Sequence, residues 1–213
     1  VGVKGLRYPI VLLDKAKSVQ HTTALVNLYA DLPHDFKGTH MSRFIEVFDE
    51  HRHDLSMPKF LRMLEEIRSS LEAETAYADI HFPYFIEKKA PVTGQSAMMS
   101  YDCAYMGKVG PDSREFDVTV AVPVQTVCPC SKAISAYGAH NQRGIVTLTV
   151  ALGPFFWIED LVTLVEESAS SGVYTLLKRD DEKYVTEHSF ENPRFVEDLV
   201  REVYVKVQAL GKF

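Results

Sequence analysis

Apolar and polar residues alternate with period two at the start of the chain, and where that alternation stops the longer helical period takes over. Residues 6–13 and 19–31 predict two strands, the second marked by Ala24, Val26, Leu28 and Ala30, with Asp14 and Lys15 breaking the run between them. The pair reads as a hairpin. A polar turn over 32–38 follows, after which Thr39 is placed to cap a helix whose Met41, Phe44, Ile45 and Phe48 share one face. Ser56 and Pro58 predict the start of a second helix, with Phe60, Leu64, Ile67 and Leu71 turned inward. Period two returns at Ala78, Ile80, Phe82, Tyr84 and Ile86, breaks over Pro91 to Gly94, and resumes at Met99, Tyr101, Cys103 and Tyr105. The first half thus reads strand, strand, helix, helix, strand, strand.

After the Gly-Pro-Asp-Ser-Arg turn at 110–114 the order begins again. It gives a strand at 116–125, a loop holding at most one helical turn, a strand at 145–152, and a helix from about 157 with Ile158, Leu161, Val162 and Val165 on one face. Asn192 and Pro193 read as the cap and first turn of a further helix, whose Val196, Leu199, Val200, Val203 and Val207 run to about Leu210. The charged stretch from Tyr174 to His188 falls between these helices as a loop. The repetition is one of topology, and it divides the chain into modules at 1–110 and 111–213. If the modules are equivalent, the second lacks its closing hairpin, so the expectation is that the sequence is trimmed and that two more strands belong after Phe213.

Composition narrows the class without naming a function. With 46% hydrophobic and 24% charged residues in 213, the chain can bury a substantial core. A net charge of −6 argues against a general nucleic-acid binder. No apolar run reaches membrane-spanning length and the start lacks a signal-peptide pattern, so the reading is a cytoplasmic protein with no membrane partner. Three cysteines are too few for a disulfide scaffold, and Cys103, inside an alternating segment, reads as core.

The stretch from Thr126 to Gly144 carries the densest chemistry. Cys128, Cys130 and His140 offer two thiols and an imidazole in one strand-connecting segment, a set suited to zinc, iron or manganese once another ligand joins. The alternatives are a redox dithiol, which lacks the usual two-residue spacer, and a pair of inert thiols. His140 favours chemistry, because its polar, glycine-flanked surroundings are not a core pattern. Ser131, Lys132 and Arg143 add hydroxyl and cationic donors suited to phosphate, or else form a solvated surface. A glutamate between 174 and 188 is placed to be a further ligand or a proton shuttle. Glu197 could accept two hydrogen bonds from a guanine edge or simply complement a helix dipole. His40 and Arg43, one turn apart, could reach an anion.

Four segments in order, KGTHMSRF, CPCSKAISAYGAHNQRG, DEKYVTE and NPRFVEDLVR, resemble the prokaryotic type IB GTP cyclohydrolases, and the likeness extends over essentially the whole chain. The resemblance implies an α+β tunnelling fold of two ββααββ modules, each with an antiparallel sheet and helices on one face, the last hairpin falling outside this chain. It implies a homotetramer with active sites at subunit interfaces, converting GTP and water to 7,8-dihydroneopterin triphosphate and formate at the entry to folate and pterin synthesis. A divalent ion, manganese, iron or zinc, would support the reaction. Carried over by position, Cys128, His140 and Glu182 are the implied metal ligands, and Cys128, Cys130 and His140 the catalytic set. Glu197 is the implied guanine anchor, with His40, Arg43, Lys132 and Arg143 as further substrate contacts. A histidine-bearing segment of the family lies beyond the end of this sequence. Two other readings stay open: an archaeal-type enzyme forming a cyclic phosphate, and a non-catalytic thiol-based metal-binding protein.

Overall fold

The opening period-two stretches fold as a hairpin of β1 (Gly2–Asp14) and β2 (Ser18–Asp31), paired antiparallel from Gly2 opposite Tyr29 to Asp14 opposite Ser18. The structure is a computed structural model describing residues 1–34, 39–151, 153 and 155–211. β1 bulges between Val3 and Leu6, where Gly5 takes φ +74° and donates its N–H to Asn27 Oδ1 at 2.8 Å. Positive φ suits glycine, and the side-chain acceptor replaces the ladder partner lost at the bulge.

The chain continues through α1 (Ser42–His51), α2 (Met57–Ser70), β3 (Thr75–Lys89), β4 (Ser96–Val109), β5 (Arg114–Val127), α3 (Pro129–Ile134) and β6 (Asn141–Ala151). Then come α4 (Ile158–Glu166), the short β7 (Ser171–Gly172), α5 (Arg179–Glu191) and α6 (Val196–Leu210). Among the described residues, β1 to β6 are neighbours in chain order within a seven-stranded sheet, and β7 pairs antiparallel with β5. No helix among the described residues is long and apolar enough to cross a membrane.

Contacts gather into two compact units. The first comprises Val1–Tyr84, Asp102–Thr119 and Thr149–Leu152. Its core follows the predicted periods: Val26 and Leu28 of β2, Ile80 and Tyr84 of β3, Phe44 and Phe48 of α1, and Phe60, Leu64 and Ile67 of α2 are all buried. Phe60 meets Phe116 edge-on at 5.0 Å between centroids, and Phe82 meets Tyr105 at 4.8 Å. The second unit comprises Phe85–Tyr101, Val120–Leu148 and Gly153–Phe213. Val120, Val122 and Val124 of β5 are buried in it, as are Leu161, Val162 and Val165 of α4 and Leu199, Val203 and Val207 of α6. The modules 1–110 and 111–213 group residues by the order of strands and helices. The units group them by contact, so the two divisions are separate statements about the chain.

Several local expectations are corrected. Thr39 does not cap α1: Met41 occupies the N-cap position, with no side-chain cap bond, and is 41% exposed. Asn192 closes α5 instead of opening α6, because its side-chain amide donates to the Ala169 carbonyl at 3.0 Å; the N-cap of α6 is Phe195. Val196 and Val200 lie on the outer face of α6. Most of the supposed loop from Tyr174 to His188 is the helix α5, which buries only Asp181 and Ser189 and so shows no apolar stripe. The polar turn over 32–38 falls at residues 35–38 outside the described residues, as does Leu152 at the end of the expected strand.

Candidate active site

β5 ends at Val127, and the next residue, Cys128, is the N-cap of α3 with Pro129 in the first helical position. The segment is then closed on itself by hydrogen bonds. The Cys128 N–H donates to the His140 carbonyl at 2.8 Å, and the Cys128 carbonyl accepts the Lys132 N–H at 3.1 Å. Ser131 sits between the two ends: its Oγ accepts the His140 N–H at 2.7 Å and its hydroxyl donates to the Cys128 carbonyl at 3.1 Å. Cys128 and His140, separated by twelve positions, are therefore held side by side through their backbones. Ser131 does this work, and its position three residues after Cys128 at a helix start was the available sequence signal.

The Cys128 thiol is half-buried, whereas Cys130 and His140 are exposed. Hydrogen bonding from the Ser131 backbone holds the Cys128 thiol below its ordinary value; burial opposes this, and the Ser131 hydroxyl and the Cys130 backbone assist it. A thiol so placed is more readily a thiolate, the form that binds metal or attacks an electrophile.

The remaining predicted residues are distributed as follows. Glu182 is exposed in the first turn of α5, and Glu197 is exposed in the first turn of α6. α6 is tethered beside the thiol segment, since the Arg194 N–H donates to the Val127 carbonyl at 2.9 Å. Lys132 is directed to the end of α5, where its ammonium donates to the Phe190 carbonyl and lies 4.3 Å from the Phe190 ring centroid. Arg143 is exposed on β6. His40 and Arg43 belong to the first unit, where the Arg43 guanidinium donates to the Ser70 carbonyl. Among the described residues no group of three or more His, Cys, Asp or Glu side chains stands close enough to hold a metal ion. The structure joins Cys128 to His140 and does not gather Glu182 with them into such a cluster.

Two features escaped the sequence reading. The first is a buried polar cluster in which Lys88 of β3 and Tyr101 of β4 meet Glu166 of α4 at 2.6 and 3.0 Å. The second is Asp181, fully buried beside exposed Glu182. Burial acts to raise its carboxyl, but donors from Thr93, Lys178 and Val92 outweigh it and leave the group well below the ordinary carboxylate range. Beside α5 lies a cleft of about 440 Å³, on whose wall Tyr184 and His188 stack with ring centroids 5.4 Å apart.

Comparison with known proteins decides the family. A family model described as type I GTP cyclohydrolase FolE2 matches residues 1–213. The chain belongs to the FolE2 family. Its relatives include the GTP cyclohydrolase FolE2 of Syntrophus aciditrophicus (strain SB), 59% identical over 203 residues, which span 95% of this chain and 80% of that protein. The FolE2 protein of Geotalea uraniireducens (strain Rf4) is 52% identical over 214 residues, spanning 100% and 78%. Among solved structures, uricase from Arthrobacter globiformis superposes with a TM-score of 0.50 at 9% identity, covering 90% of this chain and 75% of that one. At that identity the likeness is one of fold.

The donor set of this FolE2 chain fits the divalent ion that the resemblance implies. A half-buried thiol held below its ordinary value and an exposed imidazole stand on one closed segment. Thiolate and imidazole together suit zinc and iron, and an added carboxylate extends the set to manganese.

Proposed function

We propose that this FolE2 chain is a type IB GTP cyclohydrolase, converting GTP and water to 7,8-dihydroneopterin triphosphate and formate at the first step of folate and pterin synthesis. The observation that carries the reading is the closure of Cys128 onto His140 through Ser131, on a chain that the FolE2 family model matches along its whole length. Cys128, His140 and Glu182 would hold the divalent ion, which when bound supplies Lewis acidity at the purine carbon C8. Glu197 fixes the guanine by accepting from its ring N–H and exocyclic amine. His140 and Cys130 line the reacting face, and an imidazole is well suited to passing protons near neutral pH.

Water adds at C8 and the imidazole ring opens; a second water releases formate; the freed amine and the rearranged ribose then condense, losing one water, to close the pterin. Lys132 and Arg143 serve the triphosphate, with His40 and Arg43 contributed across subunits of a cytoplasmic homotetramer built from two tunnelling-fold modules per chain. Sites between subunits would draw the ligands Cys128, His140 and Glu182 from more than one copy of the chain.

The test is incubation of the purified chain with GTP and Mn²⁺, Fe²⁺ or Zn²⁺, followed by oxidation and detection of pterin fluorescence. Product mass then separates the linear triphosphate from the cyclic phosphate of the archaeal-type reaction. Metal uptake with no pterin under any of the three ions would instead support a thiol-based metal-binding protein.

A further inference from the structure

One carboxylate joins the β3–β4 turn to the first turn of α5. Asp181 Oδ1 accepts the N–H groups of Val92 and Thr93, both at 2.9 Å. Its Oδ2 accepts the Thr93 hydroxyl at 2.7 Å and the Lys178 N–H at 3.0 Å. The turn is built to present these donors. The Ala90 N–H donates to the Gln95 carbonyl at 2.9 Å, the Gly94 N–H returns to the Ala90 carbonyl at 3.1 Å, and Gly94 takes φ +69°. Two successive backbone N–H groups are thereby aimed at one anion, as in an anion-binding nest.

A helix cap needs only bonds to its own first turn. Asp181 makes one such bond, to Lys178, and directs the other three at a segment 88 or 89 positions away. Its geometry therefore exceeds what starting α5 requires. Glu182 is the next residue, in the same turn, and its N–H donates to the Lys178 carbonyl at 2.9 Å. One peptide bond separates the fixed, buried carboxylate from the exposed one.

We propose that Asp181 is a positioning residue for Glu182, anchoring the first turn of α5 to the β3–β4 turn so that the Glu182 carboxylate is presented in one place. This rests on the reading of Glu182 as a metal ligand. Partners that orient metal ligands typically alter metal affinity about 10–100-fold when removed. Asparagine at 181 keeps the side chain's size but removes the charge and one of the two acceptor oxygens. With its oxygen on the Val92 and Thr93 N–H groups, its NH2 is set against the Lys178 N–H, so the clamp is weakened. Thr93→Val removes one donor from the opposite side without touching α5.

The experiment titrates the purified, metal-free chain with Co²⁺, following thiolate-to-cobalt absorption, and records the thermal midpoint of each variant. Asp181→Asn should weaken Co²⁺ binding about 10–100-fold and Thr93→Val by less, both in the wild-type background. Glu182→Gln should weaken it at least as much as Asp181→Asn. The double variant Asp181→Asn/Glu182→Gln should bind no more weakly than Glu182→Gln alone, because Asp181 acts through Glu182. The proposal is overturned if Asp181→Asn costs as much affinity in the Glu182→Gln background as in wild type. It is equally overturned if Asp181→Asn and Thr93→Val lower the midpoint yet bind Co²⁺ at wild-type strength, which would make Asp181 a structural cap alone. Wild-type binding by Glu182→Gln would remove the ligand reading itself and the proposal with it. Should Asp181→Asn not fold, Thr93→Val in the two backgrounds decides by the same comparison.

Discussion

Lys88→Met tests whether α4 is tied to the β3–β4 hairpin by a buried ion pair. The Lys88 ammonium lies 2.6 Å from Glu166 Oε1, donates to the Val173 carbonyl at 2.7 Å, and sits 4.2 Å from the Tyr174 ring centroid. The two charged side chains are only 15% and 17% exposed. Burial is the main reason the Lys88 amine is held below its ordinary value, with the Glu166 charge pulling the other way. Packing there leaves no slack, since a Cβ at Gly172 would stand 2.9 Å from Lys88 Nζ and 3.2 Å from Glu166 Cδ. Removing one member of a buried pair costs about 3–5 kcal/mol because the other charge is left unpaired. Residual exposure and the Tyr101 hydroxyl that remains on Glu166 put this variant at the lower end, about 3 kcal/mol. In a chain of this length that corresponds to a fall in Tm of about 6–12 °C, measurable by calorimetry or circular dichroism at pH 7. Lys88→Met/Glu166→Gln should recover more than half of the loss, because no charge is stranded and the amide oxygen still accepts from Tyr101. A double variant melting no higher than the single one, or a single variant within about 2 °C of wild type, would refute the argument.

Other expectations concern the site and its surroundings. Cys128→Ala and His140→Ala should each lose bound divalent metal, read as metal content of the purified variants by mass spectrometry; full occupancy in either removes that residue as a ligand. Glu197→Gln should raise KM for GTP about tenfold or more, the worth of charged hydrogen bonds of about 1.5–3 kcal/mol, while leaving Tm unchanged at so exposed a position. Unaltered kinetics would exclude Glu197 as the guanine anchor. Burial, and after it the Glu166 charge, push the Tyr101 hydroxyl above its ordinary 10.0. A raised value means that the stability linked to Tyr101 is fully present below pH 10.0 and is lost as the pH climbs towards the higher folded value. Tyr101→Phe should therefore show a shallower decline of Tm on the alkaline side, and parallel declines in the two proteins would count against the linkage.

The apolar periods carried most of the fold. Leu161, Val162 and Val165 of α4, and the alternating Val120, Val122 and Val124 of β5, are buried as their spacing required, because burial of one face is what those periods encode. The candidate segment was legible as far as residue types go, and Cys128 and His140 do come together. What spacing did not reveal is the means, a serine hydroxyl bridging two backbone groups, since such bonds depend on local geometry and leave no periodic trace. Lys88 and Glu166 were invisible for a related reason: a single lysine in a strand and a single glutamate at a helix end each read as surface until the fold buries them together.

α5 shows most clearly where pattern reading fails and why the failure bears on function. Its residues are charged on nearly every side and only Asp181 and Ser189 are buried, so no apolar stripe marks it. Short helices gain most of their stability from packing an apolar face, and a helix without one must be secured otherwise. Here the means is polar: Asp181 bonds its own first turn and the β3–β4 turn. The charged outer surface that hides the helix is what leaves Glu182 exposed in its first turn. A stripe of leucines could bury one side of α5 as firmly, but it would be satisfied by small slides and rotations of the helix. Four directional hydrogen bonds to one carboxylate fix the turn that carries Glu182 more narrowly, which is what the proposed role of Glu182 as a metal ligand would require.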